Sequence, residues 1–283
     1  MLITPFDPWK SKLCTCKPKY SLSPYVGCGH ACVYCYARSY IRNFDNPRPK
    51  ENFLLRLQRE IKKIDKSLPI SIANSSDPYQ PLEKRLKLTR HTIKILNNEK
   101  AKVLVATKSN LVERDVDVLK NTNCVVSLTI TTLDEELSRK IEPCAPAPSK
   151  RIEAIETLSS NEISVIVRID PIIPKLNDNI GEIEKLIKAV ADAGAKHIVS
   201  STLKVNAKIL KNISKNFPEL AKSMSKFYIE RMEGYYYLPK SYRIKILGSI
   251  ANLAKKYNLT FACCREGLNL NTALCDGQHL LKK

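Results

Sequence analysis

Residues 23–38 read SPYVGCGHACVYCYAR, and the interpretation of the whole chain turns on this stretch. It places Cys28, Cys32 and Cys35 in a C-x3-C-x2-C spacing, three thiols within eight residues of one another. Thiols this close along one loop can converge on a single metal centre. Zinc sites usually close with four ligands drawn from paired C-x2-C knuckles, and this loop has only three cysteines. His30 is the nearest further ligand, but it sits between two of the cysteines, where its reach to the same centre is poor. An iron–sulfur cluster held by three cysteines instead leaves one iron open, and an open iron is a binding site. An aromatic residue, Tyr34, directly precedes the third cysteine.

Outward from this loop the chain alternates between two periodicities. The runs 70–74, 103–107, 125–130, 164–170 and 197–202 are short, β-branched and apolar on both faces, as expected of buried parallel strands. Helical stripes lie between them. Phe53, Leu54, Leu57, Ile61 and Ile64 form one. Ile180, Ile183, Ile187 and Val190 form another, begun at Asp178 and stopped by Gly194. Leu247, Ile250, Ala254 and Tyr257 form a third, after Pro239 and a Ser241 cap. With a first strand leading into Cys28, the count is six β/α units. The fold class expected is therefore α/β, a partial (β/α)6 TIM-like parallel barrel. Residues 1–20 read as an N-terminal extension, 21–258 as the core domain, and 259–283 as a cysteine-containing C-terminal extension, a strand and loop outside the six-unit core. No Gly-rich phosphate loop and no internal repeat appear.

In such a barrel, chemistry gathers where the strands end. The first strand ends at the cysteine loop, the second at Ser75, Ser76 and Asp77, and the third at Thr107, Lys108 and Ser109. The fourth carries Ser127 and Thr129, the fifth ends at Arg168 and Asp170, and the sixth at Ser200, Ser201 and Thr202. One rim thus collects polar side chains suited to a ligand rich in amino, carboxylate and hydroxyl groups.

Composition narrows the function classes. The chain has 283 residues, 43% of them hydrophobic and 27% charged, which is the balance of a soluble globular protein. No apolar run approaches the roughly 18–20 residues needed to span a bilayer, so no membrane partner is expected. The opening MLITPFDPWKSK lacks the basic-then-apolar pattern of a signal peptide, so a cytoplasmic location is expected. In a reducing compartment, ten cysteines point to metal or catalysis rather than disulfides. Lys and Arg number 47 against 28 Asp and Glu, a formal net charge of +19. That excess permits a nucleic-acid partner, although the basic residues are dispersed.

The other cysteines sort by position. Cys124 opens the apolar run CVVSLTI and reads as a small buried hydrophobe, and Cys144 lies in a Pro-rich loop. Cys14 and Cys16 near one end, with Cys263, Cys264 and Cys275 near the other, supply enough thiols for a second iron–sulfur or zinc site. A disulfide, buried thiols or a hydrogen-atom donor are the alternatives.

The cysteine spacing with Tyr34 before its third member resembles the radical S-adenosylmethionine (SAM) superfamily. A longer string resembles the spore photoproduct lyase-like, DNA repair photolyase-related branch of it. That string comprises SSDPYQPLE at 75–83, LTR at 88–90, TKSNLVERDVDVLK at 107–120, the run from 126 to 155 and VRIDPIIP at 167–174, and the resemblance covers roughly residues 20–201. It implies a [4Fe-4S] cluster on Cys28, Cys32 and Cys35, with SAM chelated by the open iron. Reductive cleavage of SAM would release methionine and a 5′-deoxyadenosyl radical, fed by a ferredoxin- or flavodoxin-type electron donor. It implies SAM contacts from Tyr34, Tyr36, Ser75, Ser76, Asp77 and Lys108, with Ser127 and Arg168 as further contacts to ribose or carboxylate. The family's usual Gly-Gly-Glu is replaced here by Ser75-Ser76-Asp77. It also implies lyase or repair chemistry on nucleic acid with a cysteine returning a hydrogen atom, for which Cys144 and Cys124 are the candidates by elimination.

Plainer roles stand beside these. Asp77-Pro78 is a turn initiator, and Ser76 or Asp77 can cap a helix. Arg168 can pair with Asp170 or Glu142. Tyr235, Tyr236 and Tyr237, beside Lys240 and Arg243, can stack bases, or can pack at a helix end. The competing function is a non-catalytic, basic zinc protein that binds nucleic acid through its cysteine-rich loop, but such a protein would not need a β/α barrel behind the loop.

Overall fold

The computed structural model describes residues 1–7, 11–72 and 74–282, so Ala73 of the expected strand 70–74 and Lys283 of the closing stretch lie outside it. Eight strands form the main sheet: β1 (Thr4–Pro5), β2 (Tyr20–Leu22), β3 (Ile70–Ile72), β4 (Val103–Thr107), β5 (Cys124–Thr129), β6 (Ser164–Ile172), β7 (His197–Thr202) and β8 (Thr260–Cys263). Their order across the sheet is their order along the chain. β1 runs antiparallel to β2, and every other neighbouring pair is parallel. The six expected strands are β2–β7. The sheet is open, with β1 and β8 as its two edges.

Strand alternation explains the two layers. Val103 and Val105 of β4, Val126 and Leu128 of β5, Val165 and Val167 of β6 and Ile198 of β7 point outward into the main core. There they meet Leu57, Ile93, Leu96, Leu119, Ile155, Leu158, Ile183, Ile187, Leu247 and Ile250 of the surrounding helices. Each such side chain contributes about 1.5–3 kcal/mol when fully buried. Leu104, Val125, Ile166 and Val199 point the other way, onto the concave face, where they meet Leu280 and Leu281 of the C-terminal tail. Gly277 makes the turn that admits this tail. Its φ is +81°, and a Cβ there would stand 3.0 Å from Val125 and 3.1 Å from Ile166, so glycine is required by both backbone and space. The closing stretch, expected outside the six-unit core, thus supplies a seventh parallel strand and the filling of the concave face.

Two helix starts differ from expectation. Helix Ile180–Asp192 is capped by Asn179, whose side chain accepts from the Glu182 amide at 3.1 Å. The Asp178 carboxylate instead takes the Lys175 amide and the Tyr242 hydroxyl. Ser241 lies inside helix Lys240–Lys256, whose first amide donates to Glu230 at 2.7 Å, so a carboxylate from a neighbouring strand does the capping. That strand, Glu230–Met232, forms a hairpin with Tyr235–Tyr237, so the three tyrosines are not a helix end. Tyr237 is buried, Tyr236 exposed, and Arg243 is buried against Glu230 and Glu266 rather than held ready for a phosphate. Among the described residues no helix is long and apolar enough to cross a membrane.

Candidate active site

A cavity of about 560 Å³ opens over the C-terminal ends of the strands, and Cys28, Cys32 and Cys35 lie on its wall. The backbone of their loop is held by distant side chains. Gly27, at φ +81°, passes so close to the Phe44 carbonyl that a Cβ would come within 2.4 Å of its oxygen. The Cys28 amide then donates to that same oxygen at 3.0 Å. Gln80, fully buried, clamps both sides of Cys28. Its Oε1 accepts from the Gly29 amide at 2.9 Å, and its Nε2 donates to the Gly27 carbonyl at 3.1 Å. Asn212 donates to the Val33 carbonyl from the far side. His30 Nδ1 lies 3.2 Å from the Cys144 carbonyl and its Nε2 3.3 Å from Asp77, so it braces the loop and is not aimed at the thiols' centre.

Burial pushes all three thiols up, Cys28 to about 12, so only a bound cation would bring them out as thiolates near neutral pH. Among the described residues no group of His, Cys, Asp or Glu side chains is already drawn tightly around one ion. A spread set of thiols suits ligands that each bind a separate iron of one cluster.

Ser75, Ser76, Asp77, Lys108, Ser127, Arg168, Tyr34 and Tyr36 all line the same cavity. Asp77 is fully engaged within the protein. It accepts from the Tyr79 amide (2.8 Å), the Thr107 hydroxyl (2.7 Å) and the Lys108 amide (2.8 Å), so its role is to fix the end of β4. The Tyr36 hydroxyl donates to the Asn74 carbonyl. Ser127 is different: its hydroxyl is buried on the cavity wall with no hydrogen-bond partner among the described residues. A buried orphan of this kind is costly unless a ligand satisfies it. Three thiols, an orphaned hydroxyl and two cations fit a cluster with a zwitterionic, ribose-bearing ligand.

Glu142, considered from sequence only as a partner for Arg168, organises one wall. It is buried, with Arg151 Nη1 2.6 Å and Lys108 Nζ 3.3 Å away, and it accepts from the Tyr34 and Thr131 hydroxyls. Burial opposes its ionisation, but Lys108, Arg151 and Tyr34 outweigh that and hold the carboxyl down to about 2. Lys108 is thereby kept at the cavity, 5.4 Å from the Tyr34 ring centroid. Arg168 pairs with Asp170 at 2.6 Å, and Asp170 is held in turn by the Ser201 hydroxyl at 2.6 Å. Gln80 acts on backbone 51 and 53 residues away, and Glu142 joins Arg151, nine residues on, to Lys108 and Tyr34 far earlier in the chain, so neither role is readable from its immediate neighbours.

The structure also sorts the remaining cysteines, all of which are free thiols. Cys14, Cys16, Cys264 and Cys275 line the same cavity, and Cys263 faces the main core instead. Cys124 is buried at the start of β5, where its thiol donates to the Leu119 carbonyl, and Cys144 is exposed on an outer loop. Neither is among the residues lining the cavity, because one sits at the wrong end of its strand and the other outside the rim.

Comparison with known proteins agrees with this geometry. A model of the radical SAM superfamily matches residues 22–190. An uncharacterised protein of Methanocaldococcus jannaschii is 38% identical over 167 residues, 56% of this chain and 62% of that protein, so the match spans less than two thirds of the relative. An uncharacterised protein of Mycobacterium tuberculosis is 26% identical over 259 residues, covering 85% of this chain and 75% of its own. Among solved structures, spore photoproduct lyase complexed with dinucleoside spore photoproduct superposes with a TM-score of 0.70 at 14% identity, over 86% of this chain and 75% of that one. Streptococcus suis SuiB bound to S-adenosylmethionine superposes at 0.60 and 14%, over 88% and 50%. At these identities the likeness is one of fold. The family match spans more than half the chain, including the cysteine loop and the strand ends facing it, and on that ground the protein belongs to the radical SAM superfamily.

Proposed function

We propose that this radical SAM enzyme carries out lyase- or repair-type chemistry on a nucleic-acid substrate, with its cluster on Cys28, Cys32 and Cys35. The observation that carries the reading is the placement of these three thiols on one cavity wall with the orphaned Ser127 hydroxyl and the Lys108–Glu142 pair. When bound, the cluster supplies the electron that opens the S–C5′ bond of SAM, drawn from a ferredoxin- or flavodoxin-type donor.

The chain's own groups do the holding. Lys108, kept in place by Glu142, offers an ammonium to the SAM carboxylate. Ser127 offers the hydrogen bond its hydroxyl lacks, and Arg168, steadied by Asp170, adds a second cation. Ser75 and Ser76, on the cavity wall just beyond β3, would hold the SAM amino group. Tyr34 and Tyr36 flank the loop on which the adenine would rest. Asp77 acts one step removed, by fixing the Lys108 backbone.

For the substrate, support comes from three directions. The fold neighbour spore photoproduct lyase is complexed with a dinucleoside. Tyr235 lines the cavity with the Arg265 guanidinium 5.8 Å from its ring centroid, a pairing that can stack on a base. The net charge of +19 favours a polyanion.

Anaerobic reconstitution with iron, sulfide, reductant and SAM, followed by measurement of 5′-deoxyadenosine, tests the chemistry. Product is expected from the parent and only background from Cys32→Ala; equal yields from the two would overturn the assignment. Binding to short single-stranded DNA should weaken with salt at a log–log slope of about −0.7 per phosphate neutralised. Binding that ignores salt would remove nucleic acid as the substrate class.

A further inference from the structure

The thiols at the two chain ends form a group of their own. Cys16 Sγ lies 3.3 Å from Cys275 Sγ, across 259 residues of sequence. All four of Cys14, Cys16, Cys264 and Cys275 line the same cavity, and Cys14 with Cys16 and Cys264 with Cys275 lie near enough to perturb one another's ionisation. Polar ties fix the two segments beside these thiols. Lys19 Nζ meets Asp276 at 2.5 Å with both side chains at most 10% exposed. Gln278 donates to the Lys17 carbonyl, Asn271 to the Thr15 hydroxyl, and Arg265 to the Ser11 hydroxyl. Cys263 is excluded by strand geometry, since neighbours along a strand face opposite sides, and it points into the main core while Cys264 points into the cavity.

We infer that Cys14, Cys16, Cys264 and Cys275 form a second metal site, a four-thiolate cage for a single zinc-class ion that fastens the two ends of the chain together.

The Cys16–Cys275 spacing fits two thiolates on one metal atom. Tetrahedral Zn–S bonds of about 2.3 Å place neighbouring sulfurs about 3.8 Å apart, half an ångström beyond the Cys16–Cys275 separation. Ligands of a [4Fe-4S] cluster each bind a separate iron and stand farther apart than that, whereas a [2Fe-2S] cluster takes two thiolates on each iron and is told apart by its iron and sulfide content. A disulfide would need the same two sulfurs at about 2.05 Å and would leave Cys14 and Cys264 without a role. Among the described residues no ion-enclosing group is preformed, so binding requires the four side chains to close around the ion. Four thiolates around a divalent ion carry two net negative charges, and Lys19 beside Cys16 and Arg168 with Lys204 beside Cys264 stand where those charges would fall. Binding releases the thiol protons to solvent and changes no oxidation state.

This site is independent of the cluster loop, so it is tested in the full-length chain carrying Cys28→Ala, Cys32→Ala and Cys35→Ala, purified anaerobically. Elemental analysis is expected to find one zinc per chain, retained in Cys263→Ala and largely lost in Cys16→Ser and Cys275→Ser. Should those serine variants misfold, cobalt(II) titration of the cysteine-loop variant gives the readout directly: one equivalent, with the intense visible absorption of a tetrahedral thiolate site. Four thiols that alkylate freely without zinc, a Cys16–Cys275 disulfide in the anaerobic protein, or iron and sulfide bound in place of zinc would each overturn the inference.

Discussion

Replacing Glu142 by Gln tests the wall that holds Lys108. In the parent, Glu142 and Arg151 are both completely buried, 2.6 Å apart, and the other Arg151 partners are the carbonyls of Pro146 and Thr129. The amide keeps the shape and removes the charge, leaving a guanidinium without a counter-ion. Breaking a buried pair from one side costs about 3–5 kcal/mol. Linkage gives a similar size: a carboxyl held at about 2 against an ordinary 4.5 corresponds to about 3 kcal/mol. A loss of that size lowers Tm by about 6–10 °C in a chain of this length. The sign with pH follows from the depressed value. The stabilisation is complete above about 4.5 and fades as pH falls towards 2. Urea melts of parent and variant, run stepwise from pH 7 to pH 3, should therefore show a gap of about 3 kcal/mol that narrows with acid. Adding Arg151→Met to Glu142→Gln should recover a large part of the loss. A gap under about 1 kcal/mol at pH 7, or one that stays constant down to pH 3, would refute the argument.

Two further outcomes follow from other buried contacts. Gln80→Ala leaves the Gly29 amide and Gly27 carbonyl without partners, a cost of about 1–3 kcal/mol for each group that water does not reach. Iron retained after anaerobic reconstitution and desalting should fall, and retention equal to the parent would show that Gln80 does not hold the loop. His197 is buried beside Thr260 and His279; burial first, then the His279 and Arg168 charges, hold its imidazole down at about 3. Because the folded chain resists protonation that the unfolded chain accepts at about 6.5, stability is lost as pH falls below 6.5. His197→Asn should abolish a loss of about 2 kcal/mol between pH 7 and pH 5. Parallel pH profiles for parent and variant in denaturant melts would count against it.

The order of strands was legible because each β-branched run is apolar on both faces and ends in a polar pair, as at Thr107-Lys108 and Arg168–Asp170. The edge strand Thr260–Cys263 was harder to place, since four residues with a Cys-Cys pair do not resemble a buried strand. That pair nevertheless held a readable signal: adjacent strand residues must diverge, so Cys263 and Cys264 were never able to serve one site together. Gln80 and Glu142 were illegible for a different reason. The contacts that matter at the site lie 51 and 108 residues away, at Gly29 and Tyr34, and although Glu142 also pairs with Arg151 nine residues on, no local pattern says that this pair faces a cavity. Asp178 and Ser241 gave false helix starts because Asn179 and Glu230 were better placed to meet the same amides.

The two chain ends help to line the cavity. An open sheet leaves its concave face exposed, and here part of the cavity lining comes from residues before β2 and after β8. Joining segments 259 residues apart costs about 5 kcal/mol in loop-closure entropy if nothing else has ordered the chain. Formation of β2 through β8 removes much of that cost, and Leu2 and Ile3 anchor the leading segment in the main core, whereas the closing stretch is held less firmly. Leu280 and Leu281 are only partly buried, and β1 is two residues long. One buried ion pair, Lys19–Asp276, is a weak fastening, because desolvation of its two charges cancels most of their attraction. A four-thiolate ion binds with about 10–16 kcal/mol in small zinc domains, far more than this closure requires. On the inferred site, the balance of these terms favours a wall that is firmer with metal than without it, a structural role distinct from the cluster chemistry proposed for Cys28, Cys32 and Cys35.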